Sequence, residues 1–306
     1  MTDQQKRWIE DKEKNDSLYG YEKDKVAKAF DRGVTVEDMD CLWNGCKDIL
    51  TLRVAVGALA KGLGMPYAEY FVRNENDLGY TEMEEVLRSF EQGVTLEQAL
   101  KYFSKEHKDG RIAGMCELLL STSEEDAAPY LTQPFRMRQF QSIAHGFRRG
   151  YTNEQITMYA KPEVRANTMQ IICNLIDDGH GDMDVLKIIL CQPWKNLQLD
   201  RLVDAIYDHV PTSVLKLAAN RKYTGYKRLL IMQGYKEGLP MEDLMKLADE
   251  ANYNVESLYK KLLEAKEHKP AASSATYEDL VENIRKMVFT AEQKKELTEL
   301  ILFGDA

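Results

Sequence analysis

A segment of about 29 residues recurs along this chain, and that repeat limits the fold more than any other feature of the sequence. Each copy has an aromatic or apolar residue, polar residues, a glycine, an apolar residue and then a polar residue followed by acids. The anchor positions are 28 to 31 residues apart, and Ser121 and Asp208 stand where two of the eight lack glycine. The six anchor glycines are Gly33, Gly62, Gly93, Gly150, Gly179 and Gly238. A period of this length is typical of solenoids.

Each copy of the repeat predicts two short helices. The anchor glycine suits the left-handed conformation that ends a first helix, since glycine adopts it without a Cβ penalty. A second helix is expected to begin two residues later. The predicted N-caps there are Thr35, Ser123, Thr95 and Thr152, and the last two have Gln98 and Gln155 three positions on, which completes capping boxes.

Apolar residues on both predicted helices follow the helical period. They lie seven and three residues before the anchors, as at Val86 and Phe90, and six and nine residues after them, as at Ile156 and Tyr159. One such stripe cannot be buried within a single hairpin, so neighbouring hairpins must stack. We therefore predict an all-α solenoid of about eight hairpins, of either hand.

The repeat also predicts the domain boundaries. We expect a polar, frayed N-terminal lead at residues 1–15 and the helical array at residues 16–267. A segment rich in proline, serine and alanine, residues 268–276, is typical of a linker. Residues 277–306 predict two closing helices that form a C-terminal helical cap on the last hairpin.

Composition and motifs exclude several function classes. A net charge of −9 argues against a protein held on nucleic acid by bulk charge. The five cysteines never occur as Cys-x-x-Cys, the histidines lack ligand spacing, and phosphate-binding glycine loops are absent. No apolar stretch is long enough for a signal peptide or a membrane span. We expect a cytoplasmic, non-catalytic protein without metal or cofactor, and no membrane partner.

One acid-rich segment, Asp177 to Asp184, has side chains of the types that could bind a metal ion. It holds four carboxylates and His180, but it lacks the spacing of a calcium loop. The simpler prediction is that Asp177 and Asp178 end one helix and Asp182 caps the next.

Two basic patches interrupt the acidic sequence. Between residues 132 and 168 six bases face two acids, and Arg138, Ser142, His145 and Arg149 are spaced along one helix face that we expect to meet solvent or a partner. The first candidate patch for partner binding is Arg136, Arg138, His145, Arg148, Arg149, Lys161 and Arg165. The second, whose tyrosines could stack on bases, is Arg221, Lys222, Tyr223, Tyr226, Lys227 and Arg228. A solvated helix face is the alternative interpretation of both.

The unit around Gly150 resembles a known pattern. Residues 147–162, FRRGYTNEQITMYAKP, followed by Met169-Gln-Ile-Ile172, are similar to the short helical repeat of uncharacterised proteins from gut Firmicutes and their mobile elements. That repeat carries no established activity. The other units keep the glycine and the apolar positions but lack Tyr-Ala-x-Pro.

These observations predict a helical-repeat protein that binds a protein partner, because solenoids present long surfaces and no chemical constellation is visible. The resemblance implies one concrete version, a phage- or element-encoded inhibitor of a host defence complex such as a CRISPR effector. The alternative is a nucleic-acid-binding repeat protein that uses the two basic patches.

Overall fold

The computed structural model describes residues 1–15, 18, 20–103, 110–191 and 194–267. All regular secondary structure in these ranges is helical, in 18 helices, and no strand occurs there, so the all-α prediction is confirmed. The predicted linker at 268–276 and the predicted cap at 277–306 lie outside the described residues.

The chain divides into two compact units, Met1–Lys195 and Asn196–Ala306. The helices of the first unit are α1 Asp3–Lys14, α2 Gly20–Asp31, α3 Val36–Gly45, α4 Ile49–Lys61, α5 Met65–Arg73, α6 Tyr80–Gln92, α7 Leu96–Tyr102, α8 Arg111–Leu119, α9 Glu124–Leu131, α10 Met137–Arg149, α11 Asn153–Tyr159, α12 Ala166–Asp177 and α13 Met183–Leu190. Those of the second are α14 Asn196–Tyr207, α15 Thr212–Ala218, α16 Gly225–Lys236, α17 Met241–Asp249 and α18 Val255–Glu267.

Within each unit, the first helix of one hairpin contacts the first helix of the next, and second helices likewise contact second helices. In the first unit the first helices form a continuous series, in which α2 contacts α4, α4 contacts α6, and so on through α8 and α10 to α12. Among the second helices, α3 contacts α5, α5 contacts α7, and α11 contacts α13. In the second unit α14 contacts α16, α16 contacts α18, and α15 contacts α17. This order buries the predicted apolar stripes between neighbours.

The chain reverses direction at the anchor glycines. All six have positive φ, for example +73° at Gly150 and +115° at Gly93, which confirms the predicted left-handed conformation. The amide after the anchor donates to the carbonyl five residues back, as from Tyr151 to Gly146 over 3.0 Å. This bond closes the last turn of the first helix.

One predicted anchor is displaced by a residue. His209, with φ +56°, holds the left-handed position rather than Asp208, and Val210 N–H donates to the Ala205 carbonyl as in the glycine turns. Ser121, the other anchor without glycine, has no positive φ. Among the two repeats without an anchor glycine, the left-handed turn is therefore kept at His209, a residue type that adopts it more readily than most, and not at Ser121.

Side-chain caps begin most of the second helices. Capping boxes are present at Thr35, Thr95 and Thr152, and Ser123 accepts from the Asp126 amide, all as predicted. Asp178 is the C-cap of α12 and Asp182 the N-cap of α13, which confirms the capping interpretation of that acidic segment.

The N-terminal residues differ from the expected frayed lead. Residues 3–14 form α1, with a capping box between Thr2 and Gln5. Trp8 is buried against Phe30 and Trp43, and its indole N–H donates to Asp40 over 2.7 Å. Few apolar residues suffice to order this helix because a single tryptophan buries a large area.

We predict that replacing Gly150 with alanine lowers the free energy of unfolding by about 1 to 2 kcal/mol, because a Cβ strains the left-handed conformation. No atom lies within 4 Å of that added Cβ, so backbone strain accounts for the expected loss. The matched control is Gly20→Ala, which also meets no atom within 4 Å but lacks a positive φ. Urea denaturation of both variants checks this, and equal stabilities would contradict the helix-ending role of Gly150.

Candidate partner-binding surface

The structure divides the first basic patch into paired and unpaired residues. The paired ones lie in the second half of α10, between its neighbours. Arg148 Nη2 lies 2.8 Å from Glu117 on α8, while Arg149 Nε and His145 Nε2 lie 3.0 and 2.7 Å from the Asp177 carboxylate on α12. These three side chains therefore connect neighbouring first helices.

Asp177 is the centre of that network. Besides His145 and Arg149, the Tyr151 hydroxyl donates to its carboxylate over 2.7 Å and to the Cys173 carbonyl over 2.8 Å. Partial burial acts to raise the pKa of Asp177, but the hydrogen bonds from Tyr151, His145 and Arg149 outweigh it and lower the pKa to about 2. The charged carboxylate is thus stabilised in the folded protein.

Ser142 corrects the expected orientation of this helix face. It was predicted to meet solvent or a partner together with Arg138, His145 and Arg149, but it is buried. Its hydroxyl donates to the Arg138 carbonyl over 3.2 Å, and its carbonyl accepts from the Tyr159 hydroxyl over 3.1 Å. Helical spacing placed these four residues along one face, but it could not show that Ser142, near the centre of that face, packs within the array.

The other four bases of the patch remain available. Arg136, Arg138, Lys161 and Arg165, which we call the basic edge, are exposed. None of them forms an ion pair with any residue that the structure describes. Within the first patch, this subset is the part whose charges have no acidic partner among the described residues.

Gln139 brings the two halves of the basic edge together. Its side-chain oxygen accepts from the Arg136 amide over 2.8 Å, and its nitrogen donates to the carbonyls of Pro162 and Val164 over 3.0 and 2.6 Å. This buried side chain holds the segment before α12 against the first turn of α10. Lys161 and Arg165 are thereby held beside Arg136.

The basic edge coincides with two helix N-termini. Arg136 is the N-cap of α10 and Arg165 is the N-cap of α12, and neither helix has an acid in its first turn. A cation at this end of a helix opposes the helix dipole, at a cost of about 0.3 to 1 kcal/mol. Helix stability therefore does not explain the arginines.

The second basic patch differs from the expected basic and aromatic surface. Lys227 and Arg228 are buried, and they donate to the carbonyls of Glu250 and Asn220 over 2.6 and 3.1 Å. Burial lowers the pKa of Lys227, whose ammonium lies 4.5 Å from the Tyr223 ring centre. Tyr226 is exposed, with its hydroxyl bonded to Glu256. Arg221 and Lys222 are the exposed bases that remain of this patch.

A groove of about 440 Å³ crosses α6, α8 and α10 in the first unit. We call it the α8 groove. Ala113, Cys116, Leu120 and Met137 provide apolar lining, and charged or amide side chains line it as well: Glu85, Arg88, Gln92, Glu117, Gln141 and Arg148. Burial raises the pKa of the Cys116 thiol to about 12, which keeps it protonated and unreactive. Sequence patterns did not indicate this groove, since it depends on how three helices pack.

The second unit has a groove in which several lining residues occupy repeat positions that correspond to those of the α8 groove. It lies between α14 and α16, has a volume of about 330 Å³ and is lined by Arg201, Leu229, Met232 and Lys236 among others. Lys236 and Arg148 each stand two residues before their anchor glycine, Glu85 stands eight residues before Gly93, and Arg201 stands eight before His209, which holds the left-handed position of its repeat. Neighbouring first helices thus leave a comparable depression in each unit.

Within the described ranges, no group of three or more His, Cys, Asp or Glu side chains could hold a metal ion, and no disulfide joins the cysteines. None of the helices in these ranges has the length and apolarity to cross a membrane. Comparison with protein-family profiles, with curated proteins and with solved structures finds no match for the chain.

We predict that Asp177→Asn lowers the free energy of unfolding by about 1 kcal/mol at pH 7, because it weakens three hydrogen bonds on a partly exposed carboxylate. The folded pKa, about 2, lies below the unfolded value of about 3.9, so this stabilisation is present above pH 4 to 5 and is lost as the pH falls toward 2.

Urea denaturation from pH 7 to pH 3 measures this difference. The gap between the original protein and Asp177→Asn should narrow as the pH falls. Asp200→Asn is the control and should show no comparable gap, because this exposed carboxylate forms no ion pair with the residues that the structure describes. A constant gap across the pH range would contradict the role of the charged Asp177.

Proposed function

We propose that this chain is a non-catalytic helical-repeat protein that binds a protein partner through the surface formed by its first helices. In this proposal the repeats form a solenoid of about eight hairpins, closed by the C-terminal cap at residues 277–306. The series of contacts from α2 to α12 supports that arrangement in the first unit. Solenoids commonly use such surfaces for binding.

The observation that carries the proposal is the α8 groove. It extends across three consecutive first helices and combines an apolar lining with charged side chains. Apolar surface with polar groups around it is typical of a protein interface, where the apolar part provides affinity and the polar part provides orientation. Its volume of about 440 Å³ is enough for a few side chains of a partner.

The charged side chains of the groove are already held in place. Arg88 lies 3.3 Å from Glu85, and Arg148 lies 2.8 Å from Glu117. Such pairs restrict the rotamers of long side chains before a partner arrives, which reduces the entropy lost on binding.

The resemblance to proteins of mobile elements makes the proposal more specific. The partner would be a component of a host defence complex, such as a CRISPR effector, in the bacterial cytoplasm. A nucleic-acid-binding repeat protein is the second candidate, favoured by the exposed basic edge but weakened by the burial of Lys227 and Arg228.

We predict that Ala113→Trp, which fills the α8 groove, abolishes partner binding while leaving the fold intact. Ala113 is half-buried in the groove, so the added indole occupies the space that the partner needs. The measurement is affinity capture from bacteria with and without a CRISPR effector, combined with plaque counts of a targeted phage. Thr157→Trp is the matched control, because Thr157 is exposed on the second helix α11.

The expected result is that the original protein and Thr157→Trp retain the same captured protein, whereas a folded Ala113→Trp does not. Circular dichroism and melting curves establish the fold of each variant. Equal capture by all three proteins would contradict a role for the groove. Captured nucleic acid without protein would favour the second candidate.

A further inference from the structure

We propose that the basic edge at the end of the α8 groove binds an acidic segment of the partner protein, through carboxylates that meet Arg136, Arg138, Lys161 and Arg165. This inference rests on the proposed function, because it assigns the chemistry of the partner that the groove receives. It concerns a different set of residues from the groove variant above.

The first argument is that these bases differ from the other arginines on the first helices. Arg53, Arg148 and Arg149 each pair with an acid 28 to 31 residues away, on a neighbouring first helix. Arg111, at the N-terminus of α8, donates to the Gln133 carbonyl and lies over Phe140. The basic edge forms no such internal contact through its charged groups within the described ranges. Its charges are therefore available to an external anion.

The second argument is the electrostatic cost of the arrangement. Arg136 and Arg165 occupy N-cap positions, where Thr, Ser or Asp begin other helices of the chain with a side-chain hydrogen bond. Neither arginine makes that bond, so amides in the first turns of α10 and α12 have no side-chain cap. A carboxylate bound here would accept hydrogen bonds from the guanidinium and would also interact favourably with the positive end of the helix dipole.

The third argument is the continuity between the basic edge and the groove. Met137 lines the groove and lies between Arg136 and Arg138 in the sequence, at the first position of α10. A partner segment in the groove therefore passes the basic edge as it leaves. Packed helices lie about 8 to 10 Å apart, so the carboxylates that meet α10 and α12 need a similar separation.

The surroundings favour an acidic protein segment over nucleic acid. Sequence-tolerant binding of single strands needs aromatic rings on which bases stack. The aromatics nearest in sequence to the basic edge, which are Phe135, Phe140 and Tyr159, are buried, and the Tyr159 hydroxyl bonds within the array. Four bases are also fewer than the roughly six to ten phosphate contacts of a strong nucleic-acid binder. The overall charge of −9 disfavours a long polyanion further.

The test measures binding of a fluorescent oligoglutamate to the full chain by anisotropy. A peptide of roughly 15 residues is long enough to span both helix ends. We expect binding at about 50 mM salt that weakens at 200 mM, since the contacts are largely electrostatic. Arg138→Glu with Arg165→Glu should weaken binding by about tenfold or more, because repulsion replaces attraction at two points.

The matched control is Arg7→Glu with Lys28→Glu, which changes the net charge equally at exposed bases on α1 and α2. It should retain peptide binding, because its substitutions lie away from the basic edge. Equal weakening by both double variants would reduce the effect to bulk charge and overturn the proposal. So would absence of peptide binding.

A thymidine oligonucleotide of about the same length serves as the competing probe. Tighter binding of the oligonucleotide, lost in Arg138→Glu with Arg165→Glu, would replace the acidic protein segment with nucleic acid. Failure of the peptide test alongside groove-dependent partner capture would overturn this inference and leave the proposed function standing.

Discussion

The left-handed turn after each first helix is the constraint on which the rest of this structure depends. It reverses the chain within a few residues, and the bond from the following amide to the carbonyl five residues back fixes where the helix ends. In most of these turns the residue that provides this carbonyl is small, as at Ala29, Gly146 and Gly234, although Leu175 provides it before Gly179. At Gly146 an added Cβ would collide with the Tyr159 hydroxyl and lie 3.0 Å from Tyr151. The left-handed turn therefore restricts the residue at position 150, and side-chain packing restricts the residue at position 146.

Because the turns recur at a nearly constant interval, charges on neighbouring first helices meet in a nearly constant register. Lys61 pairs with Glu91, and Arg149 with Asp177, each joining the residue before one anchor to the residue two before the next. In the pair of Asp208 and Lys236 the charges are exchanged, with the acid directly after the earlier helix and the base on the later one. Exposed pairs contribute little stability. The shared register of these pairs therefore follows from the constant length of the repeat rather than from a large energetic contribution of the pairs themselves.

Most of the local structure could be predicted from the sequence. Positive φ at Gly93 and Gly150, the boxes at Thr95 and Thr152 and the cap at Asp182 all depend on interactions within a few residues, which a sequence pattern contains. The orientation of Ser142 and the burial of Lys227 could not be predicted in the same way. They depend on which helix packs beside each face, and a basic side chain can be buried where carbonyls such as that of Glu250 accept its protons.

The same reasoning explains why only part of the first basic patch became a candidate site. Spacing placed seven bases in one region, but the structure separates them by their partners. His145, Arg148 and Arg149 face acids on neighbouring helices, so their charges are compensated within the array. Arg136 and Arg165 stand where the helix dipole disfavours them, and Gln139 holds the surrounding segments together. This electrostatic cost brings no contact of the charged groups with other described residues, so we propose that these residues, rather than the larger patch, bind the partner.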